Sequence, residues 1–284
     1  MKPLILSDNL FEATVLHPSF VIANNGADDA SGHELFHAAD NLRDLTSWMP
    51  STSNSQRWIY TDCQAAQQPT CVVLDRGHNL AGVSVNVTGY TDATLTTAVA
   101  TIGCTIPSAP GGLPGDASGC LTPEGVWWKT FALSAARVWA LVLPAMGAGV
   151  APIVTGIYLG ATYRFPEYMN APFSDDYDTD VQIQTNRVSR GALRVMTRKL
   201  NFRKLALSID MESTDYPAFD AQARPLLRYG QPWWVCFDDS DATHAGMIAP
   251  FQLSGNVRYQ PQANPVHREI RGLELEELLP RLWT

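Results

Sequence analysis

The chain has 284 residues, enough for about two domains of ~150 residues each. Its hydrophobic content of 45% is ordinary for a globular protein, and its net charge of −8 argues against a general nucleic-acid binder. Residues 1–163 hold six Lys and Arg against twelve Asp and Glu, whereas residues 164–284 hold fourteen against sixteen. This uneven charge predicts two differently built domains, 1–163 and 181–284. Residues 164–180, which are aromatic and contain Pro and then become acidic, are predicted to be a linker arm between them.

The start of the chain and its five cysteines bear on whether disulfides form. None of the cysteines lies in a CxxC pair, so a zinc ribbon or a thioredoxin-like motif is not supported. Residues 1–10 contain Lys2 and Asp8 and lack the apolar run of a secretory leader. We therefore expect free thiols, and two disulfides among the four cysteines of residues 1–163 are the alternative.

One segment resembles a catalytic motif. His33-Glu34-Leu35-Phe36-His37 fits H-E-x-x-H, in which two His one helical turn apart hold zinc and the Glu acts as general base. Asp40 and Arg43 stand where the extended metzincin motif needs Gly and His, so a third ligand is not in place. We expect a surface helix turn here, and a zinc protease is the alternative.

Other catalytic patterns are absent from the sequence, which has no GxSxG, P-loop or GxGxxG motif. The carboxylate pairs Asp175/Asp176 and Asp238/Asp239 lie in polar, turn-like stretches, where capping or solvation is expected. We predict no catalytic residue, no metal and no cofactor, and therefore a protein that is not an enzyme.

Alternation of apolar and polar residues predicts a β-sandwich in the first part. In residues 83–88 valines alternate with small polar residues, which is the pattern of a half-buried strand. Several short strands separated by turn signals are typical of a sandwich. The segment Gly103–Gly125 is rich in Pro and Gly and predicts a loop, either ordered or flexible. Further strands are predicted at Arg57–Thr61, Thr70–Leu74, Val126–Leu133, Arg137–Leu143 and Ile153–Leu159.

Residues 138–163 contain no charged side chain and are long enough for a membrane helix. Pro144, Pro152 and four glycines interrupt the stretch, which divides into two strand-like runs. We therefore expect two strands here and no membrane span.

Adjacent tryptophans occur at Trp127-Trp128 and again at Trp233-Trp234. Neighbouring residues of a strand point to opposite faces, so one tryptophan of each pair is predicted to be exposed or covered by a partner. Structural cover is the expected role, and stacking on a sugar or on a protein surface is the alternative.

The second part begins with a basic run, Arg187–Lys204, which carries seven Lys and Arg and no acid. A solvated strand face, a channel lining and a surface for an acidic partner all remain open for this run. Leu205–Met211 alternates strongly and predicts a strand, and residues 213–230 predict a short helix that ends near Gly230. Further strands are predicted at Trp233–Phe237, Pro250–Leu253, Asn256–Gln260 and Val266–Glu276.

Residues 9–162 resemble the galactose-binding-like, discoidin-type jelly roll. The resemblance is carried by degenerate motifs, which are Ala39-Asp40-Asn41-Leu42, Thr46-Ser47-Trp48, Arg57-Trp58-Ile59-Tyr60, Val72-Val73-Leu74-Asp75-Arg76-Gly77, Ala136–Leu141 and Ile153–Gly160. The resemblance implies a jelly-roll sandwich, and it leaves open whether this domain binds sugar.

Residues 180–280 are similar to the belt-type β domain of bacteriophage tail-tip proteins, including distal tail proteins. The similar features are the strand Leu205–Met211, the helix from Phe219 to Gly230, the aromatic strand Pro232–Asp238 and the terminal run Leu273–Glu277. The resemblance implies a domain that assembles into a ring between tail tube and baseplate and has no catalytic residues.

Together these features predict a mainly β protein in which a galactose-binding-like jelly roll precedes a belt-type β domain with one short helix. The expected function is that of a structural tail-tip or baseplate subunit in the virion of a long-tailed phage (siphophage), assembled in the host cytoplasm. Expected partners are further copies of itself in a ring, tail tube protein, tape measure, baseplate hub and fibre proteins, and possible host glycans. The alternative is a carbohydrate-binding protein that acts through the jelly roll.

Overall fold

The computed structural model describes residues 4–7, 9–11, 19–24, 30, 47–50, 55–147, 149–165, 174–187, 193–212, 214–215, 217–221, 232–253, 258–261 and 267–277. Within these ranges the chain is mainly β, which confirms the predicted fold class. No helix in the described ranges is long and apolar enough to cross a membrane.

Sixteen described strands make up most of the fold, with helical residues at 217–221 and a short helix α1 (Ala242–Ala245). The strands are β1 (Leu4–Ser7), β2 (Val21–Asn24), β3 (Arg57–Gln67), β4 (Cys71–Leu74), β5 (Ser84–Tyr90), β6 (Ala98–Thr105), β7 (Cys120–Leu121), β8 (Trp127–Thr130), β9 (Ala136–Leu143), β10 (Ile157–Arg164), β11 (Ser174–Arg187), β12 (Leu193–Glu212), β13 (Trp233–Cys236), β14 (Ala249–Leu253), β15 (Arg258–Pro261) and β16 (His267–Glu277).

Five antiparallel strands form what we call the back sheet, in the order β2-β3-β9-β5-β6. Its central strand, β9, is apolar on both faces. Trp139, Leu141 and Leu143 lie in the main core, whereas Val138 and Ala140 lie on the opposite face, and all five are buried. A strand that is apolar on both faces must be covered on both, and Trp58 and Tyr60 pack over the face that carries Val138 and Ala140.

A second sheet of eleven described strands runs through both predicted parts of the chain, in the order β11-β12-β16-β14-β13-β1-β10-β4-β8-β7, with β15 paired to β16. Strand β1 joins the two parts, because Ile5 pairs with Tyr163 of β10 on one side and with Val235 of β13 on the other. Hydrogen bonding is therefore continuous across the boundary predicted near residue 163. The division into domains stays a prediction.

The main core lies between the back sheet and the strands β1, β10, β4, β8 and β7, which we call the front strands. Leu74, Trp127 and Ile157 of the front strands share this core with Val87 and Leu141 of the back sheet, and none of the five is more than 2% exposed. Two antiparallel sheets packed face to face in this way form the predicted sandwich.

The other face of the front strands is covered by the C-terminal part of the chain. Trp128 and Trp234 lie in this second cluster together with Ala245 and Ile248. The indole N–H of Trp128 donates a hydrogen bond to the carbonyl oxygen of Ala245 over 3.0 Å. The segment around α1 is therefore fixed to the sandwich by both apolar packing and a hydrogen bond.

The prediction that one tryptophan of each pair is exposed or covered by a partner is wrong. Trp127, Trp128 and Trp233 are 0% exposed and Trp234 is 2% exposed within this single chain. The alternation of faces holds, since Trp127 lies in the main core and Trp128 in the second cluster. Residues distant in sequence supply the cover, so structural cover, the expected role, is confirmed.

The predicted strands of the first part agree with β3, β4, β5, β8 and β9, and β10 begins later than predicted. The N–H of Ile153 donates to Asn79 Oδ1 over 2.8 Å, and Val154 forms an isolated bridge with Trp48. These bonds hold residues 153–156 in a loop, so the ladder of β10 starts only at Ile157.

Two segments predicted as irregular contain strand. The predicted linker arm 164–180 belongs to β11 from Ser174 onward, because a ladder with β12 satisfies its backbone groups. Aspartates are tolerated there because β11 is the outermost described strand of its sheet. The segment Gly103–Gly125 is an ordered loop that begins in β6 and includes β7, with two backbone hydrogen bonds of 2.8 and 3.0 Å between Gly111 and Leu121.

The helix predicted at 213–230 is present at residues 217–221, and residues 222–230 lie outside the described ranges. Its first turn closes where the N–H of Phe219 donates to the carbonyl oxygen of Asp215 over 3.1 Å. Phe219 is 0% exposed and its ring lies 5.8 Å from that of Tyr163 and 5.5 Å from that of Phe165. The helix was predicted in the second part, but it packs against the end of β10.

All five cysteines are free and buried, which agrees with the expectation of thiols. Burial raises the pKa of Cys104 to about 11 and also raises the pKa of Cys71 and Cys236. Because the thiolate is the reactive form, these residues act as small apolar side chains at neutral pH.

Strands β11 and β12 pair along the whole of β11, whereas β16 pairs with β12 only from Lys204 onward. Residues 177–187 and 193–203, which we call the arm, therefore have only each other as strand partners within the described ranges. At ~3.3 Å per residue the arm is about 35 Å long.

Candidate functional site

Several loops meet at one end of the sandwich. Because β4 is antiparallel to β10, the end of β4 at Leu74 lies beside the start of β10 at Ile157. The loop that follows β4, residues 75–83, therefore lies against the loop that leads into β10, residues 144–156. Loops held by a rigid scaffold commonly carry binding residues, so this end of the sandwich is a candidate functional site.

The loop after β4 is clamped to the loop before β10 by hydrogen bonds. The N–H of Asp75 donates to the carbonyl oxygen of Gly156 over 3.0 Å. The hydroxyl of Thr155 contacts the carbonyl oxygens of Asp75 at 3.0 Å and Arg76 at 2.6 Å. These contacts fix the backbone of residues 75 and 76.

Gly77 makes the clamp sterically possible. Its φ is +94°, a conformation that residues with a side chain rarely adopt. A Cβ at this position would lie 2.9 Å from Cγ2 of Thr155, which is closer than packed carbon atoms approach. The Asp75-Arg76-Gly77 turn thus needs glycine for both its backbone angle and its contact with Thr155.

Asn79 and His78 extend the clamp. The side-chain amide of Asn79 donates to the carbonyl oxygen of Ala151 over 2.8 Å, and its Oδ1 accepts from the N–H of Ile153 over 2.8 Å. The Nδ1 of His78 accepts from the N–H of Leu80 over 3.2 Å. The loop therefore holds the His78 ring in one orientation.

Two buried nitrogen atoms of this loop have no hydrogen-bond partner among the described residues. They are Nε of Arg76 and Nε2 of His78. Arg76 Nε lies 3.8 Å from Oδ1 of Asp75, which makes an ion pair but is too long for a hydrogen bond. Buried polar groups nearly always have a partner, so two unsatisfied nitrogens within three residues set this loop apart from the rest of the described chain.

Burial sets the protonation of this group. It lowers the pKa of His78 to about 4, so the imidazole is neutral at pH 7. Since Nδ1 accepts from Leu80, the neutral ring carries its proton on Nε2 and is a donor there. Burial raises the pKa of Asp75, and the neighbouring Arg76 opposes that rise.

We call Asp75, Arg76 and His78 the loop cluster. At neutral pH it offers a guanidinium N–H and an imidazole N–H as donors and a carboxyl group that can accept. This combination suits a ligand with neighbouring hydroxyl groups, each of which both donates and accepts. Sequence analysis included Asp75-Arg76-Gly77 only as part of a fold resemblance, and His78 carried no motif signal at all.

The other residues singled out in the sequence form no site within the described ranges. The HELFH segment at residues 33–37 lies outside them, as do Asp40 and Arg43. No group of three or more His, Cys, Asp or Glu in the described part of the chain could hold a metal ion. Asp238 caps a turn by accepting from the N–H of Ser240 over 3.1 Å, and Asp239 forms an ion pair with Arg164.

A second group with binding potential lies on the outer face of the back sheet. Trp58 and Tyr60 of β3 are half-buried, and Trp58 stacks on Tyr90 with ring centroids 6.1 Å apart. Beside them Asp62 accepts two hydrogen bonds from Arg137, of 2.8 and 2.7 Å. Sequence analysis missed this group because Trp58 of β3 and Tyr90 of β5, which meet across β9, are far apart in the chain.

No family model and no curated protein match this chain. Among solved structures, the chain is similar to a Ruminococcus gnavus GH29 fucosidase in complex with fucose, at 14% identity and a TM-score of 0.39, over 55% of this chain and 27% of that one. It is also similar to chitosan-binding module 1 of a Paenibacillus sp. IK-5 chitosanase/glucanase, at 18% identity and a TM-score of 0.37, over 54% of this chain and 98% of that one. A third similar structure is the lectin domain of Lectinolysin complexed with Lewis B antigen, at 13% identity and a TM-score of 0.38, over 54% of this chain and 96% of that one. Identities below 25% and TM-scores below 0.5 leave the family of this chain open.

Proposed function

We propose that this chain is a carbohydrate-binding protein and that its loop cluster contacts the hydroxyl groups of a sugar. The observation that carries the proposal is the pair of unsatisfied buried donors, Arg76 Nε and His78 Nε2, on a loop held in place by hydrogen bonds of Asp75, Asn79 and Thr155. This role is one of binding without catalysis.

The chemistry of the loop cluster favours hydroxyl groups over a fully charged ligand. One cation, Arg76, is balanced by Asp75 at 3.8 Å, and the neutral His78 adds a donor without charge. A sugar hydroxyl supplies the acceptor that the buried nitrogens lack, and it can donate to the carboxyl group in return. All four tryptophans of the adjacent pairs are buried, so a few hydrogen bonds must provide the affinity and we expect a Kd near ~1 mM.

A glycan array followed by NMR titration tests this proposal. We expect the wild-type protein to bind at least one glycan, and the His78→Ala variant and the Arg76→Ala variant to weaken that binding about tenfold each, since each loses one directed hydrogen bond. The Trp58→Ala variant is the control, because Trp58 lies on the back sheet away from the loop cluster.

Two other outcomes of the glycan-binding measurements would contradict this proposal. Loss of glycan binding in Trp58→Ala, with no change in the two loop variants, would move the sugar site to the outer face of the back sheet. A folded wild-type protein that binds no glycan on the array or in the titration would refute carbohydrate binding.

We propose a second function, that of a structural subunit of a phage tail tip, in which copies of the chain form a ring in the virion. The observation that favours it is the arm, whose two strands have no other strand partner within the described ranges over about 35 Å. A two-stranded hairpin is marginally stable alone in water, so an arm of this length favours a subunit that assembles with neighbours. The same chain can serve both functions if the sandwich binds glycans on an assembled particle.

Light scattering coupled to size-exclusion chromatography tests the second function. We expect closed oligomers of a single size at micromolar concentrations. A protein that stays monomeric over a wide range of concentration and salt would refute it without bearing on glycan binding.

A further inference from the structure

The arm and one strand of the back sheet are complementary. We propose that the arm of one copy of this chain pairs, strand to strand, with the exposed edge of β6 in a second copy. This inference rests on the second proposed function, because it names the surfaces through which the subunits would assemble.

The acceptor is the outermost strand of the back sheet. Strand β6 has β5 as its neighbour on one side and no described strand on the other. Its eight residues, Ala98–Thr105, contain no proline and no charge, and Val99 is 43% exposed. Natural sheets usually protect such an edge with charge, proline or cover, so an exposed uncharged edge indicates a place where another strand is added.

The donor strand is β11 within the arm. Its residues 181–186 are uncharged and contain no proline, and its outer edge has no strand partner among the described residues. By register, Val181 and Ile183 share one face of the arm with Val195 and Leu193. That face also carries Thr185, Arg187, Thr197 and Lys199, so what the arm offers a partner is the uncharged, proline-free backbone edge of residues 181–186.

Charge favours a second copy of this chain as the partner. The arm carries five Lys and Arg against two Asp, in a chain whose net charge is −8. Residues 1–163, which include β6, hold twelve Asp and Glu against six Lys and Arg. A basic arm is therefore attracted to the acidic first part of another copy, and the half-buried Asp92, in the turn before β6, adds to that attraction.

The donor surface is the arm and the acceptor surface is the edge of β6. Because these two surfaces differ, the contact between copies is head-to-tail. Contacts of this kind propagate from copy to copy and either close into a ring or continue as a filament. An arm about 35 Å long can reach across the boundary between two neighbouring sandwiches.

Substitution of Val99 gives a test based on charge. In light-scattering measurements on the full chain, we expect Val99→Lys to raise the dissociation constant of the oligomer on the order of tenfold or more, because a cation then faces a basic arm. We expect Val99→Glu to leave it unchanged or lower it. Val21→Lys is the matched control, because Val21 is 53% exposed on β2, at the opposite edge of the same sheet.

Reversal of charge in the arm completes the test. The Arg194→Glu/Arg198→Glu variant is expected to weaken assembly by itself and to restore assembly when it is combined with Val99→Lys. Circular dichroism and thermal unfolding of each variant test whether the subunits remain folded. If Val99→Lys does not fold, Thr101→Lys on the exposed side of β6 takes its place.

The outcomes separate the two proposals. If the wild type forms oligomers and neither Val99→Lys nor the arm variant changes them, the β6 contact is refuted while a structural function stands. If the wild type is monomeric throughout, both fail. If the arm variant loses binding to a short DNA duplex but assembles like the wild type, the arm binds nucleic acid and the proposed contact is wrong.

Discussion

Replacing Trp128 by alanine is expected to lower the free energy of unfolding by about 3–5 kcal/mol. The side chain is 0% exposed and packs in the second cluster, where its indole N–H donates to the carbonyl oxygen of Ala245 over 3.0 Å. The variant would leave both a cavity and a buried carbonyl group without its donor. Urea unfolding followed by circular dichroism measures the loss.

Hydrogen exchange makes the test specific for the role of Trp128 in holding α1. The amides of Ala245 and Gly246, which donate to Asp241 and Ala242 within α1, are expected to lose protection more than the amides of β9. Trp58→Ala is the control, since the half-buried Trp58 lies on the outer face of the back sheet and should leave α1 unchanged. A loss of stability below about 1 kcal/mol would contradict a buried, hydrogen-bonded tryptophan.

The free energy of unfolding is expected to fall as the pH decreases from about 6.5 to about 4, because the unfolded chain binds a proton at His78 in this range. The pKa of His78 falls from the ordinary value of 6.5 to about 4 because the ring is buried. Between these values the unfolded chain binds the proton and the folded chain does not, so acid favours unfolding. The full effect is up to about 3 kcal/mol, present above pH 6.5 and lost by pH 4.

The contribution of His78 is isolated by comparison with the His78→Gln variant. Burial raises the pKa of the neighbouring Asp75, which makes a contribution of opposite sign at the acidic end of this range. The difference between wild type and His78→Gln removes that common contribution. If the difference in free energy of unfolding between the two proteins stays constant from pH 4 to pH 7, the burial of a neutral His78 is contradicted.

Much of the sandwich could be predicted from the sequence because a strand has a period of two. Val83–Thr88 alternates clearly, Arg137–Leu143 is a short and almost wholly apolar run, and both lie in strands of the back sheet. Strands with a weaker pattern were missed, among them β1 and β6. In β6 the exposed residues include the apolar Val99 beside Ala98, Thr101 and Gly103, so no contrast between faces marks the strand.

The candidate site could not be predicted, because its parts come together only through the pairing of distant strands. Asp75 and Thr155 are far apart in sequence, and the pairing of Leu74 with Ile157 brings their loops into contact. No local pattern marks His78, whose unsatisfied Nε2 is a property of the packed loop. The metal-like pattern at residues 33–37 was the stronger local signal, and it lies outside the described ranges.

The sequence alone determined the β character and the position of most strands. These follow from hydrophobic periodicity and composition, which are local properties. Only the tertiary structure decided that both tryptophans of each pair are covered, that β1 joins the two parts of the chain in one sheet, and that Arg76 and His78 present unsatisfied donors. Burial and hydrogen-bond satisfaction depend on residues brought together from distant parts of the chain, and no short stretch of sequence contains that information.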